Sequence, residues 1–187
     1  PDLFIAKTIE GIAKHLLDIL SRLVSDTSQR ISKLARPGTE REPQIPGVEE
    51  SYPLSPMQQG MLFDTLSAQE PGVDVEQIVI RCGEDLNTDA FQESWGKIVT
   101  LHPILRTAFR WEGLREPLQD VHGRVKVSWE VQDWRDFPPE KQDARLRTYL
   151  AADRRQGFHM NEPPLMRLAL FRIGDAEYQF LWTFHHA

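Results

Sequence analysis

Cysteine is nearly absent: Cys82 is the only one in 187 residues. A single thiol excludes an internal disulfide and any zinc site built on several cysteines. Long apolar runs are missing too, and none approaches the roughly 20 residues needed to span a bilayer. There is no basic excess: 22 Lys and Arg face 28 Asp and Glu, for a formal net charge of -6. That balance argues against nucleic acid, whose phosphates reward basic patches. The N-terminus, Pro1-Asp2, has no basic leader segment and no cleavage site. It also has no initiator Met, so the chain reads as a piece of a longer protein, with the cytoplasm as its expected location.

What is present suits a soluble globular protein. Apolar residues make up 40% and charged residues 27%, and 5 Trp, 9 Phe and 3 Tyr can fill a sizeable core. The length fits one domain with an appendage, at roughly 100–200 residues per domain. Residues 8–26 follow helical spacing, with Ile9, Ile12, Leu16, Ile19, Leu23 and Val24 on one stripe and Thr8 as cap. Residues 35–50 are rich in proline, glycine and charge, which reads as a linker. The expected division is therefore residues 1–34 as the end of one unit, 35–50 as linker, and 51–187 as a second unit.

The second unit mixes strands and helices. Ser55 before Pro56 predicts a helix cap, with the helix running to about Leu66. Strands are expected over Val75–Cys82, Thr107–Trp111 and Leu118–Val121. Val125, Val127, Trp129 and Val131 alternate as in a half-buried strand. Thr88 is the predicted cap of a helix whose Phe91, Trp95, Ile98 and Val99 share a face. Pro138-Pro139 opens another helix, which Gly157 stops. Leu165–Ile173 and Glu177–His185 flank Gly174-Asp175, a two-residue hairpin signal. The class is α/β or α+β with a mixed sheet.

The last stretch carries the chemistry. Along that strand Tyr178, Phe180, Trp182, Phe184 and His186 share one face, while Gln179, Leu181, Thr183 and His185 share the other. A regular strand would bury His186 on the aromatic face. A neutral imidazole there suits a general base, or else a structural histidine satisfied by the backbone. Adjacent histidines on a strand point apart, so no metal site is expected. His102 is expected to end a helix at Pro103, and His15, His122 and His159 to lie on the surface. Ser55 lacks the Gly-x-Ser-x-Gly elbow of a nucleophile.

Two further stretches, Ser55-Pro56-Met57-Gln58-Gln59-Gly60 and Leu101-His102-Pro103-Ile104-Leu105-Arg106-Thr107-Ala108-Phe109, precede Phe184-His185-His186 in a telling order. The order and spacing resemble the condensation domains of nonribosomal peptide synthetases. Those domains carry S-x-A-Q-x-R, R-H-E-x-L-R-T-x-F and H-H-x-x-x-D-G motifs. Met57, Gly60, Leu101 and Pro103 depart from these patterns and leave the stereochemical subtype open. The Asp and Gly of the third motif would fall after Ala187.

The resemblance implies half of a chloramphenicol-acetyltransferase-like fold, built to join a carrier-bound donor acyl thioester to an acceptor amine. It implies His186 as the catalytic residue, with His185 and Arg106 in supporting positions and Ser55 and Gln58 near the tunnel. The family pairs the arginine at Arg106 with the later Asp. In this chain Arg106 is expected to be solvated or paired elsewhere, or to be a plain surface arginine. Implied partners are donor and acceptor carrier domains, neighbouring synthetase domains and the C-terminal half of the domain. Phosphopantetheine arms would come from the carriers: no Gly-Gly-x-Ser attachment site occurs here, and no cofactor is expected to bind covalently. The segment before the linker resembles either the tail of a preceding condensation domain or the last helix of a carrier. The rival readings are a free acetyltransferase of the chloramphenicol type and a non-catalytic carrier-docking module. The piece alone is expected to be inactive.

Overall fold

A computed structural model describes Lys14, Leu17, Ser21, and residues 45–83 and 85–187. The chain divides into two units, Pro1–Gln44 and Ile45–Ala187. In the first, Lys14, Leu17 and Ser21 are helical and exposed. The apolar stripe of residues 8–26 and the linker over 35–44 lie outside the described residues.

The second unit contains two sheets. The smaller is antiparallel, in the order β1 (Val48–Pro53), β4 (Leu118–His122), β3 (Thr107–Arg110). The stretch read as linker therefore runs too far, because Val48 and Glu50 already pair with His122 and Val121. Their polarity misleads since β1 is an edge strand whose glutamates face solvent. Gly47, at φ 84°, makes the turn into it.

The larger sheet has the order β2 (Val75–Cys82), β7 (Glu177–His185), β6 (Met166–Gly174), β5 (Ser128–Asp133). Its pairs are antiparallel except β5 with β6, which is parallel. A parallel pair needs a long crossover, supplied here by helix α3 (Pro139–Gln156). Gly157, at φ 61°, ends that helix as expected.

Helices cover both faces of this sheet. On one, Phe91, Trp95 and Val99 of α2 (Thr88–Leu101) meet Leu168, Leu170, Tyr178 and Phe180. On the other, Leu146, Tyr149 and Leu150 of α3 meet Ala169, Phe171 and Leu181. Trp134 stacks on Phe171 there, with centroids 4.1 Å apart and planes 12° apart. The strand parity read from the sequence thus holds from Tyr178 to Phe184. A third cluster joins Leu54 and Leu62 of α1 (Pro56–Ser67) to Phe109 and Met160.

Local details differ. The cap of α2 is Asn87, not Thr88; its side chain accepts from Ala90 N at 3.0 Å, which leaves Thr88 as the first helical residue. Ile98 is exposed, one step off the buried face. The hairpin turn is Asp175-Ala176, because Gly174 still pairs with Glu177 across an irregular register. Strand β5 begins at Ser128, and Val131 is exposed at its far end.

Candidate active site

Strand β7 ends at His185, and that ending separates the two histidines. His185 is 6% exposed. Its N–H donates to Leu165 O at 3.0 Å, extending the β6 contact. The Ala187 N–H donates to its Nδ1 at 3.2 Å, so Nδ1 is bare and Nε2 carries the proton. Nε2 then donates to Thr65 Oγ1 of α1 at 2.8 Å. The Phe158 ring stands edge-on to the imidazole, 6.5 Å between centroids. Burial pushes His185 below the ordinary imidazole value; nearby Asp74 opposes this and His186 adds to it.

His186 leaves the sheet. Its N–H donates to Asp74 O at 2.8 Å, and the residue is exposed. The expectation of a buried His186 on the aromatic face is therefore overturned: the alternation requires a strand that continues, and this one stops one residue earlier. The arrangement holds one imidazole on both ring nitrogens and presents the next to solvent.

The loop behind His185 is itself held. Arg167 donates from Nε to Asp153 Oδ1 at 2.8 Å and from Nη1 to Gly157 O at 2.6 Å. Its guanidinium lies 4.2 Å from the Phe158 centroid. Gln77 of β2 donates to the other Asp153 oxygen at 3.0 Å. Asp153 is buried, and both of its carboxylate oxygens are hydrogen-bonded.

The other expected site residues lie elsewhere. Ser55 Oγ accepts from Gln58 N at 3.2 Å, and Gln58 Oε1 accepts from Ser55 N at 3.0 Å, a reciprocal capping box. Gln58 Nε2 donates to Gln119 Oε1 at 3.2 Å. Ser55 and Thr65 stand at opposite ends of α1, about 15 Å apart along its axis at 1.5 Å per residue. Ser55 and Gln58 are thus capping groups remote from the imidazoles.

Arg106 is buried at the end of the smaller sheet, neither solvated nor on the surface. It pairs through Nη1 with Glu49 Oε2 at 3.0 Å and donates to His122 O. Its Nε is buried without an acceptor among the described residues. His122 is half-buried rather than on the surface, and burial lowers its pKa against the pull of Asp120. His102 caps the end of α2 and His159 is exposed; His15 lies outside the described residues.

Sequence reasoning missed Thr65, Asp74 and Glu49. Pro71-Gly72 signals a turn before Asp74, but nothing local says that the turn meets the end of β7. Among the described residues no cluster of three or more His, Cys, Asp or Glu could hold a metal ion. No described helix is long and apolar enough to cross a membrane.

Comparison with known proteins gives this geometry a family. The family model for the condensation domain matches residues 48–187. A linear gramicidin synthase of Brevibacillus parabrevis is 49% identical over 139 residues, covering 74% of this chain and 2% of that protein. Tyrocidine synthase 2 of Brevibacillus parabrevis is 36% identical, covering 74% of this chain and 4% of that protein. The chain thus spans only a small fraction of the length of these relatives. Among solved structures, the starter condensation domain of rhizomide synthetase superposes with a TM-score of 0.65 at 18% identity, covering 74% of this chain and 34% of that one. The EpoB cyclization-docking bidomain from Sorangium cellulosum gives 0.61 at 18% identity, covering 97% and 34%. The mixed α/β class read from the sequence is the class of these folds. With the family model covering most of the chain and solved condensation domains sharing its fold, this chain belongs to the condensation-domain family of nonribosomal peptide synthetases.

Proposed function

We propose that this chain is part of a condensation domain that forms a peptide bond between two carrier-bound thioesters, with His186 facing the attacking amine. The observation that carries the reading is the unequal treatment of the two histidines: His185 is fixed by Thr65 and the Ala187 amide, while His186 is exposed beside it. In this reading the acceptor amine adds to the donor thioester carbonyl. The C–N bond forms, the C–S bond breaks and the thiol of the donor arm leaves. The amine proton passes, by way of His186 or water, to the sulfur of the leaving arm.

Both thioesters enter as substrates on the arms of carrier domains, and the neighbouring synthetase domains deliver those carriers. The residues before β1 serve as the link to a preceding domain. An α-amine has a pKa near 8, so a fraction is already free at neutral pH. Holding it against the thioester supplies about 7–11 kcal/mol, whereas base catalysis adds about 10²–10⁴-fold. His186 therefore orients the amine first and takes its proton second.

The test is single-turnover condensation by the complete synthetase module with loaded donor and acceptor carriers. His186→Ala is expected to slow bond formation by about 10²-fold or more. An unchanged rate would remove the catalytic role. Carrier binding that persists without any condensation by the wild type would favour a docking module instead.

A further inference from the structure

The turn leading into β2 meets the histidine pair from the neighbouring strand. Asp74 has φ 54°, the one positive value at a non-glycine among the described residues. Aspartate visits this region more readily than most side chains, and packing fixes it there. Here the surroundings are tight. Gly72, at φ 92°, lies so close to helix α3 that a Cβ would stand 2.5 Å from Arg154 O. Arg154 Nη1 donates to Val75 O at 2.5 Å, and Val75 is 1% exposed and pairs with His185. Asp74 is thus clamped between two fixed points, with its carbonyl accepting the His186 N–H.

Its carboxylate is placed unusually. Asp74 Oδ2 is buried and has no hydrogen-bond partner among the described residues. Unpaired buried oxygens on a carboxylate are unfavourable, and this one stands beside the pair. The groups facing the His185 imidazole are few. Helix α1 presents the Thr65 hydroxyl, and the loop after α3 presents the Phe158 ring with Arg167 beyond it. His186 follows along the chain, and Asp74 supplies the negative charge that acts on the ring.

We propose that Asp74 is a positioning residue for the histidine pair: its left-handed backbone ties His186 to the start of β2, and its buried, unpartnered carboxylate is the acidic group set beside His185. The catalytic side of this statement rests on the proposed function; the electrostatic side does not.

Two variants of the full chain separate charge from backbone. Asp74→Asn keeps a residue that tolerates positive φ, and Asp74→Gly removes the backbone restriction altogether. The first measurement is an NMR titration of the histidine side chains. In both variants the His185 midpoint falls, since an opposing charge has been removed, while slow exchange of the His186 amide persists. An unmoved midpoint in both variants overturns the proposal, as does loss of the amide protection in Asp74→Asn. The second measurement is single-turnover condensation in the complete module, where Asp74→Asn slows bond formation several-fold, less than His186→Ala. If His186→Ala is without effect while the titration moves, the catalytic reading fails and the placement of Asp74 stands. If His186→Ala is slow and the titration is unmoved, the placement of Asp74 fails alone.

Discussion

The two sheets of the second unit are held together by different physics. The four-stranded sheet lies between α2 and α3 and is closed by apolar burial: Leu170 and Phe171 are 0% exposed and Leu181 1%. The three-stranded sheet has few such residues. Its strands are joined by Arg110 donating to Asp120 at 2.7 and 3.2 Å, by Ser51 donating to Asp120 at 2.6 Å, and by Arg106 with Glu49. Apolar burial is non-directional and tolerates relaxation, while charged pairs cut off from water depend on every partner. The first sheet therefore positions the histidines through bulk packing, and the second keeps its shape through a few specific bonds.

The sharpest way to break that contrast is in the apolar core. Trp134 is 2% exposed and stacked on Phe171, so Trp134→Ala is expected to cost about 3–5 kcal/mol. Urea unfolding reads this as a fall in midpoint, and a loss below about 1 kcal/mol would mean that the Trp134–Phe171 stack contributes little to the core. Next comes the polar sheet. Burial pushes the Asp120 carboxyl up, but hydrogen bonds from Arg110 and Ser51 outweigh it, and the net value lies below the ordinary 3.8. The stability from this group is complete above the unfolded-state pKa and is lost as pH falls through the lower folded-state value. Asp120→Asn should cost about 1.5–3 kcal/mol near neutrality and flatten the acid limb of stability against pH. A variant with an unchanged acid limb would show that the sheet does not depend on this charge. The smallest effect is at α1, where Ser55→Ala removes one side of the capping box and should cost about 1 kcal/mol. Thermal unfolding measures it, and a condensation rate that falls without any stability loss would assign Ser55 a role beyond capping.

The same contrast decides what can be read from the sequence. Strands β6 and β7 are legible because burial on both faces leaves apolar runs, and α3 because Pro139 and Gly157 bracket it. Strand β1 hides within the linker because Val48-Glu49-Glu50 carries edge-strand polarity, and its ion pair to Arg106 spans 57 residues of sequence. At the site, the His-His pair and its strand parity are visible, but the parity argument buries the wrong imidazole. The error has one cause: the alternation holds only while the strand runs on, and β7 ends at His185, a boundary that no local pattern encodes. Thr65 and Asp74 are invisible for the same reason.

The parallel pairing of β5 with β6 has a kinetic consequence. Strands β6 and β7 meet across the two residues Asp175 and Ala176, so their ladder closes early and locally. Strand β5 cannot join until roughly thirty intervening residues, α3 among them, have been gathered, and that closure carries an entropy that grows with the logarithm of the span. By loop length alone the expected order is the β6–β7 hairpin first, the β5 edge next, and β2 last, since β2 reaches β7 only across the stretch from Cys82 to Glu177. The Phe158 loop lies within the shorter span, so by the same measure the wall behind His185 is expected to close before β2 brings Asp74 against it.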